Sequence, residues 1–144
     1  NWIVSMFTSN PIFQFNVLAI LNHLLIYICF YLLAGRFTKN LYIKILVSFF
    51  TAFSPYLLGQ MGHLQMVFFW PLLISLYFIS HPKRNLIYTV FSGFWLGLQF
   101  LSAVYLGLMG FGIIITYYVF NRSKRSVLTF LKEAGVFTIT FILI

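Results

Sequence analysis

Long apolar runs separated by short polar stretches set the pattern of this chain. Residues 12–33 form the first run, about 33 Å long as a helix and enough to cross a hydrocarbon core. Asn10-Pro11 stands ahead of it as a helix start, Asn as the cap and Pro in the first turn. Residues 41–58 and 64–80 form the second and third runs. Pro55, near the end of the second, and Pro71, inside the third, are expected to bend or end those helices. The fourth run, residues 86–120, would be about 52 Å long as one helix, too long for an ordinary crossing. Residues 127–144 form the last.

The basic residues decide how the long run is cut. They fall in three clusters: Arg36, Lys39 and Lys44; Lys83 and Arg84; Arg122, Lys124, Arg125 and Lys132. Short loops rich in Lys and Arg stay in the cytoplasm. A hairpin within the long run, turning at polar Gln99 and Ser102, puts all three clusters on one side. The pattern therefore predicts an all-α, polytopic transmembrane bundle with about six spans: 12–33, 41–58, 64–80, 86–101, 103–120 and 127–144. Residues 1–10, 59–63 and about 99–105 are expected outside, and the Lys/Arg loops in the cytoplasm of a cell (inner) membrane. Residues 1–144 are expected to form part of one helical domain. The chain starts at Asn1 without a basic leader and ends within an apolar run, so an internal piece of a longer protein is expected.

Composition narrows the picture. The sequence is 62% apolar and only 7% charged, with a mean hydropathy of +0.99. A soluble fold of this size could not cover so much apolar surface, and a disordered chain would not contain it. One cysteine excludes a disulfide scaffold. The net charge of +8 follows from topology and from attraction to anionic inner-leaflet lipids, so membrane lipids, not nucleic acid, are the expected partners.

Gly93 and Gly97 form a GxxxG pattern, and Gly107, Gly110 and Gly112 crowd the next span, which fits a tightly packed hairpin. Lys44 is expected to snorkel to the inner interface. Glu133, the sole acidic residue, is expected as a solvated interface charge.

That single carboxylate excludes paired carboxylate catalysis and an all-oxygen metal site within this sequence. Cys29 lies in mid-span, where packing is its expected role. His23, His63 and His81 fall at three different membrane levels and cannot share one zinc. No cofactor or metal site is expected. The richest stretch is the outer mouth, where Tyr56, Gln60, His63 and Gln65 precede Trp70. Gln99, Ser102 and Tyr105 reach the same level from the hairpin. Uncharged hydrogen-bonding groups beside aromatics suit a headgroup, sugar or isoprenoid phosphate. The same residues would also serve simply to solvate an interfacial turn and anchor helices.

The string FSPYLLGQMGHLQ, followed by FFWPLL and LQFLSAVYLG, resembles a pattern in bacterial multi-pass glycosyltransferases of the GT-C type. Asn10-Pro11 ahead of a span and Tyr31-Leu32-Leu33 at its end are similar as well. The resemblance covers residues 10–105. It implies a membrane-embedded portion of an enzyme moving a sugar from a polyprenyl-phosphate carrier to an acceptor at the outer face, with the lipid-linked sugar as donor and partner. It implies that Tyr56, Gln60, His63, Gln65, Trp70, Gln99, Ser102 and Tyr105 line the substrate cavity. The family's catalytic acid lies in an outer loop ahead of these spans. No Asp occurs here, so that residue is expected upstream of Asn1. Two other classes stand beside this reading. A transporter or lipid flippase would use mid-span polar groups, for which Asn16, Asn22 and His23 are the candidates. A non-catalytic membrane scaffold would need none.

Overall fold

Three helices begin on asparagine side chains that satisfy otherwise unpaired backbone donors. The computed structural model describes residues 9–60, 62–63, 67–82, 85–121 and 127–143. Helix α1, Pro11–Ala34, starts where Asn10 Oδ1 accepts from Ile12 N at 3.0 Å and Phe13 N at 3.3 Å. Pro11 occupies its first position, as the sequence predicts. Helix α2, Leu41–Ala52, starts on Asn40, and α3, Pro55–Gly59, on Ser54. Then come α4, Trp70–Ile79, α5, Leu86–Ser102 capped by Asn85, α6, Val104–Asn121, and α7, Val127–Ile142. The fold is all-helical, and no strand occurs among the described residues. Residues 1–8 of the expected outer segment, Gln65, and the cations Lys83, Arg84, Arg122, Lys124 and Arg125 lie outside the described residues.

Two expected spans take a different form. The run 41–58 breaks at Phe53 and Ser54, and the run 64–80 is non-helical at Phe68 and Phe69, just ahead of α4. Pro55 and Pro71 sit in the first turns of α3 and α4, and the helical path is broken just ahead of each, as the sequence predicts. A residue with fixed φ and no N–H costs nothing there. Two helical stretches, 11–34 and 41–59 taken through the break, are long and apolar enough to cross a membrane; 70–79, 86–102 and 104–120 are apolar but shorter.

The long run turns where the sequence predicts. Ala103 leaves the helical region at φ −156° and ψ 96°. A β-carbon on Gly107 would lie 2.6 Å from Phe100 Cα, and one on Gly110 would lie 2.8 Å from a Leu96 methyl. The two pairs are centred between residues 103 and 104 and on residue 103, so α5 and α6 fold back on each other as a hairpin. Gly93 is used differently: its added β-carbon would meet Phe137 O at 2.9 Å, so it admits α7 and not the hairpin partner. Gly112 faces open space.

Helix α5 is the centre of the bundle, packed by α4, α6 and α7, while α1 joins α2 to α4. One apolar core gathers Ile26, Cys29, Leu57, Val67 and Leu73; the other gathers Leu72, Ile79, Leu96, Ile114 and Phe137. Between α4 and α5 the buried hydroxyls of Ser75 and Ser92 lie 3.0 Å apart. Ser75 Oγ also reaches Ser92 O at 2.7 Å, and Ser92 Oγ reaches Ser75 O at 3.0 Å. Each hydroxyl thus finds a backbone acceptor on the other helix, as buried polar groups require.

Arg36 and Lys44 lie against aromatic rings at one end. Arg36 Cζ sits 3.9 Å above the Tyr77 ring, which brings the end of α1 to the end of α4. Lys44 Nζ lies 4.8 Å from the Tyr31 ring, half-buried, so it folds onto an aromatic face. His81 stacks on Tyr88 at 4.3 Å. Glu133 departs from expectation: it is 3% exposed and engaged, not solvated. Helix α7 turns this carboxylate inward, which local sequence could not reveal because its neighbours Lys132 and Leu131 are exposed.

Candidate functional site

The segment from Pro55 to Trp70 contains most of the residues singled out from sequence, and its backbone explains where they go. Helix α3 ends as Gln60 N donates to Tyr56 O at 3.0 Å and Leu57 O at 3.2 Å. His63 N then donates to Gln60 O at 2.8 Å, closing a turn. His63 is exposed on this turn and Gln60 is half-buried.

At Phe68 and Phe69, just ahead of α4, the chain is not helical, so its peptide groups need partners other than a helix ladder. Two buried amides supply them. Asn22 Nδ2 donates to Val67 O at 3.1 Å. Gln99 Nε2 donates to Phe68 O at 2.9 Å, and Gln99 Oε1 accepts from Leu72 N at 3.2 Å. Phe69, the residue before α4, contributes no side-chain cap. Gln99, on another helix, takes that role. Ser102 completes the arrangement by donating to Gln99 O at 2.9 Å, with its oxygen 3.4 Å from Gln99 Nε2.

Tyr56 is exposed and lines a cavity of about 570 Å³ between α2, α3 and α6, with Phe50, Thr51, Ser54 and Leu106. The Thr51 hydroxyl donates to Val47 O at 2.8 Å and Ser54 accepts from Leu57 N at 3.3 Å, so both are committed to their own backbone. Tyr105 is exposed next to Leu106. Trp70 packs edge-on against Phe68 at 5.3 Å and Trp95 at 5.5 Å, with its Nε1 buried and unpartnered.

The structure therefore divides the eight sequence candidates. Gln60 and His63 share the turn, and Tyr56 sits in the neighbouring cavity. Gln99 and Ser102 are joined to each other, and the Gln99 side chain is fully buried with both ends occupied by the segment before α4. Trp70 belongs to an aromatic cluster at the start of α4. Gln65 lies outside the described residues.

A second cavity, of about 430 Å³, lies between α1 and the α2–α3 break. His23 forms part of its wall, stacked on Phe53 with ring centroids 5.7 Å apart. Sequence reasoning weighed His23 as a mid-span polar group and as a zinc ligand, not as the wall of a cavity. Its pairing with Phe53 depends on how α2 breaks, which no local pattern reports. No carboxylate lines either cavity. No group of three or more His, Cys, Asp or Glu that could hold a metal ion occurs among the described residues. Both recesses can shelter apolar chains, and the Gln60–His63 turn can supply hydrogen bonds.

Residues 2–144 match the model of the family described as Domain of unknown function (DUF6311), and the chain belongs to that family. Neither the curated proteins nor the solved structures give a match.

Proposed function

We propose that this DUF6311 chain is the membrane-embedded part of a transferase that moves a sugar from a polyprenyl-phosphate carrier to an acceptor at the outer face of a cell membrane. One observation carries the reading: the 570 Å³ cavity is lined by Tyr56, one helical turn ahead of Gln60 and the turn that bears His63. An aromatic, apolar recess next to uncharged hydrogen-bonding groups matches the two chemistries of an isoprenoid phosphosugar. His63 positions the phosphate or the sugar in this reading. The resemblance to GT-C enzymes supplies the reaction type and a catalytic acid from a loop ahead of these spans.

Membrane embedding is supported by the surface. Large apolar side chains stand exposed along the described helices, among them Ile20, Phe50 and Ile113. In the two longest helical stretches well under half of the apolar window is buried, unlike the core helix of a soluble protein. The gathering of Arg36 and Lys44 at one end supports a cytoplasmic position for that end and an outer one for the Gln60–His63 turn.

A transporter or flippase is the second reading. It is favoured by Asn22 and His23, buried in mid-helix, each with an unpartnered polar atom.

The test uses the complete protein in proteoliposomes with a radiolabelled polyprenyl-phosphate sugar. His63→Ala and Gln60→Ala are expected to lower transfer about ten-fold or more, the worth of a hydrogen bond to a charged group. Unchanged turnover at normal expression, or solute uptake without transfer, overturns the reading. In intact cells an impermeant thiol reagent is expected to tag Gly62→Cys and spare Lys39→Cys; equal tagging overturns the sidedness.

A further inference from the structure

The connection from α1 to α2, residues 35–40, and the start of α2 carry Arg36, Lys39 and Lys44 within nine positions. No acidic residue stands in the first turn of α2. The sole carboxylate of the sequence, Glu133, is on α7, which packs against α5. Positive charge at this corner therefore has no counter-charge nearby in the chain.

Two of these cations are held in place. Arg36 is half-buried, with Cζ 3.9 Å above the Tyr77 ring. A guanidinium stacked on a ring keeps its donors in its own plane, pointing outward from the edge. Of its nitrogens, Nε alone is buried without a partner, so the exposed part of the group is the fork of Nη1 and Nη2. Lys44 is half-buried as well. Its Cδ lies 3.8 Å from the place of a β-carbon on Gly35, the neighbour of Arg36 in the chain, and its Nζ lies 4.8 Å from the Tyr31 ring. The stem is thus folded back onto the end of α1. A solvated lysine or arginine keeps its rotamer freedom, whereas the ordering cost of these two is already met in the fold. Like charges fixed at one corner favour an anion between them.

We propose that this corner is a fixed binding site for an anionic phospholipid in the leaflet at this end. The Arg36 fork donates to the phosphate oxygens, as guanidinium groups do, and Lys44 and Lys39 add charge. The border of the site selects a lipid over a free phosphate. Phe37 is 78% and Tyr42 77% exposed, and Leu41 between the two elements is exposed too. Large apolar groups beside fixed cations match the glycerol and first chain carbons below a phosphate. Net charge attracts anionic lipids diffusely; here named donors would hold one headgroup. The inference rests on the membrane embedding proposed above and not on sugar transfer.

The experiment uses the complete protein in phosphatidylcholine nanodiscs, with diazirine-bearing phosphatidylglycerol and phosphatidylcholine of identical chains as probes and no sugar donor present. Loss of transfer activity and loss of lipid binding are thereby separate results. Phosphatidylglycerol is expected to label peptides covering residues 35–45 about ten-fold more than phosphatidylcholine, the worth of a hydrogen bond to a charged group. Arg36→Gln should remove most of that difference. Arg36→Lys, which keeps the charge without the fork, should restore only part of it. Lys44→Gln, on the other helix, should lower it several-fold and covers the case in which Arg36→Gln disturbs the fold. Lys132→Gln removes the same charge from an exposed position on α7 and should change nothing. Equal labelling by the two lipids overturns the proposal. So does a Lys132→Gln loss that matches Arg36→Gln, which would mean diffuse attraction. Abolition of labelling by millimolar inorganic phosphate overturns it too, as a site for free anions.

Discussion

Replacing Gln99 by Met keeps the length of the side chain and removes both ends of its hydrogen bonding. Gln99 is fully buried and joins α5 to two backbone groups, Phe68 O at 2.9 Å and Leu72 N at 3.2 Å. Leu72 N lies in the first turn of α4, where no intrahelical acceptor exists. In Gln99→Met both backbone groups are left dry, at about 1–3 kcal/mol each, or about 2–6 kcal/mol together. An average interhelical bond in a membrane protein is worth only about 0.6 kcal/mol, because the unfolded chain finds other partners. The larger figure applies here because a side chain is being withdrawn from fixed, buried backbone. Reversible unfolding in mixed detergent micelles measures the loss. A second substitution sharpens the test. Asn22 holds Val67 O, one residue from the group that Gln99 holds. Asn22→Leu should therefore couple to Gln99→Met, and the double variant should lose about 1 kcal/mol less than the sum of the singles. A loss below about 0.5 kcal/mol for Gln99→Met would refute the argument, as would strict additivity. Weaker substrate binding at unchanged stability would return Gln99 to the ligand-lining role expected from sequence.

The hairpin and the cationic end give two further tests by the same unfolding assay. Gly107→Ala drives a methyl to 2.6 Å from Phe100 Cα and should cost about 1–3 kcal/mol, while Gly112→Ala meets open space and should gain up to about 1 kcal/mol; equal effects would sink the hairpin geometry. Arg36→Gln and Tyr77→Leu should each cost about 1 kcal/mol and show positive coupling, because the guanidinium stands 3.9 Å above the ring; full additivity would remove that contact.

Legibility in the sequence followed the range of the forces involved. Asn10-Pro11 acts within one turn of α1, and the pattern disclosed it. The turn at Ala103 was readable because run length and the grouping of cations constrained it. The break at Phe68 and Phe69 was not legible because apolar character does not distinguish helix from chain whose peptides are met from afar. Val67 O and Phe68 O accept from Asn22 and Gln99, 45 and 31 residues away in sequence. The same distance hid the use of Gln99: a polar side chain between apolar neighbours reads as facing a ligand or water, and it faces backbone instead. Gly93 serves α7 and Glu133 is turned inward for the same reason: which helix lies opposite a residue is a property of the bundle, not of the run that contains it.

The reciprocal serines bear on how the molecule moves. Sliding α4 along α5 by one residue would break both serine hydroxyl contacts at once, so the two helices resist moving apart. Helix α1 meets α4 through apolar side chains and the Arg36–Tyr77 contact, with no hydrogen-bonded serine pair to lock it. Motion of the recess beside Tyr56 thus falls to α2, which lines it, and on the proposed transferase reading fixing α2 should lower turnover while Gln60 and His63 stay in place.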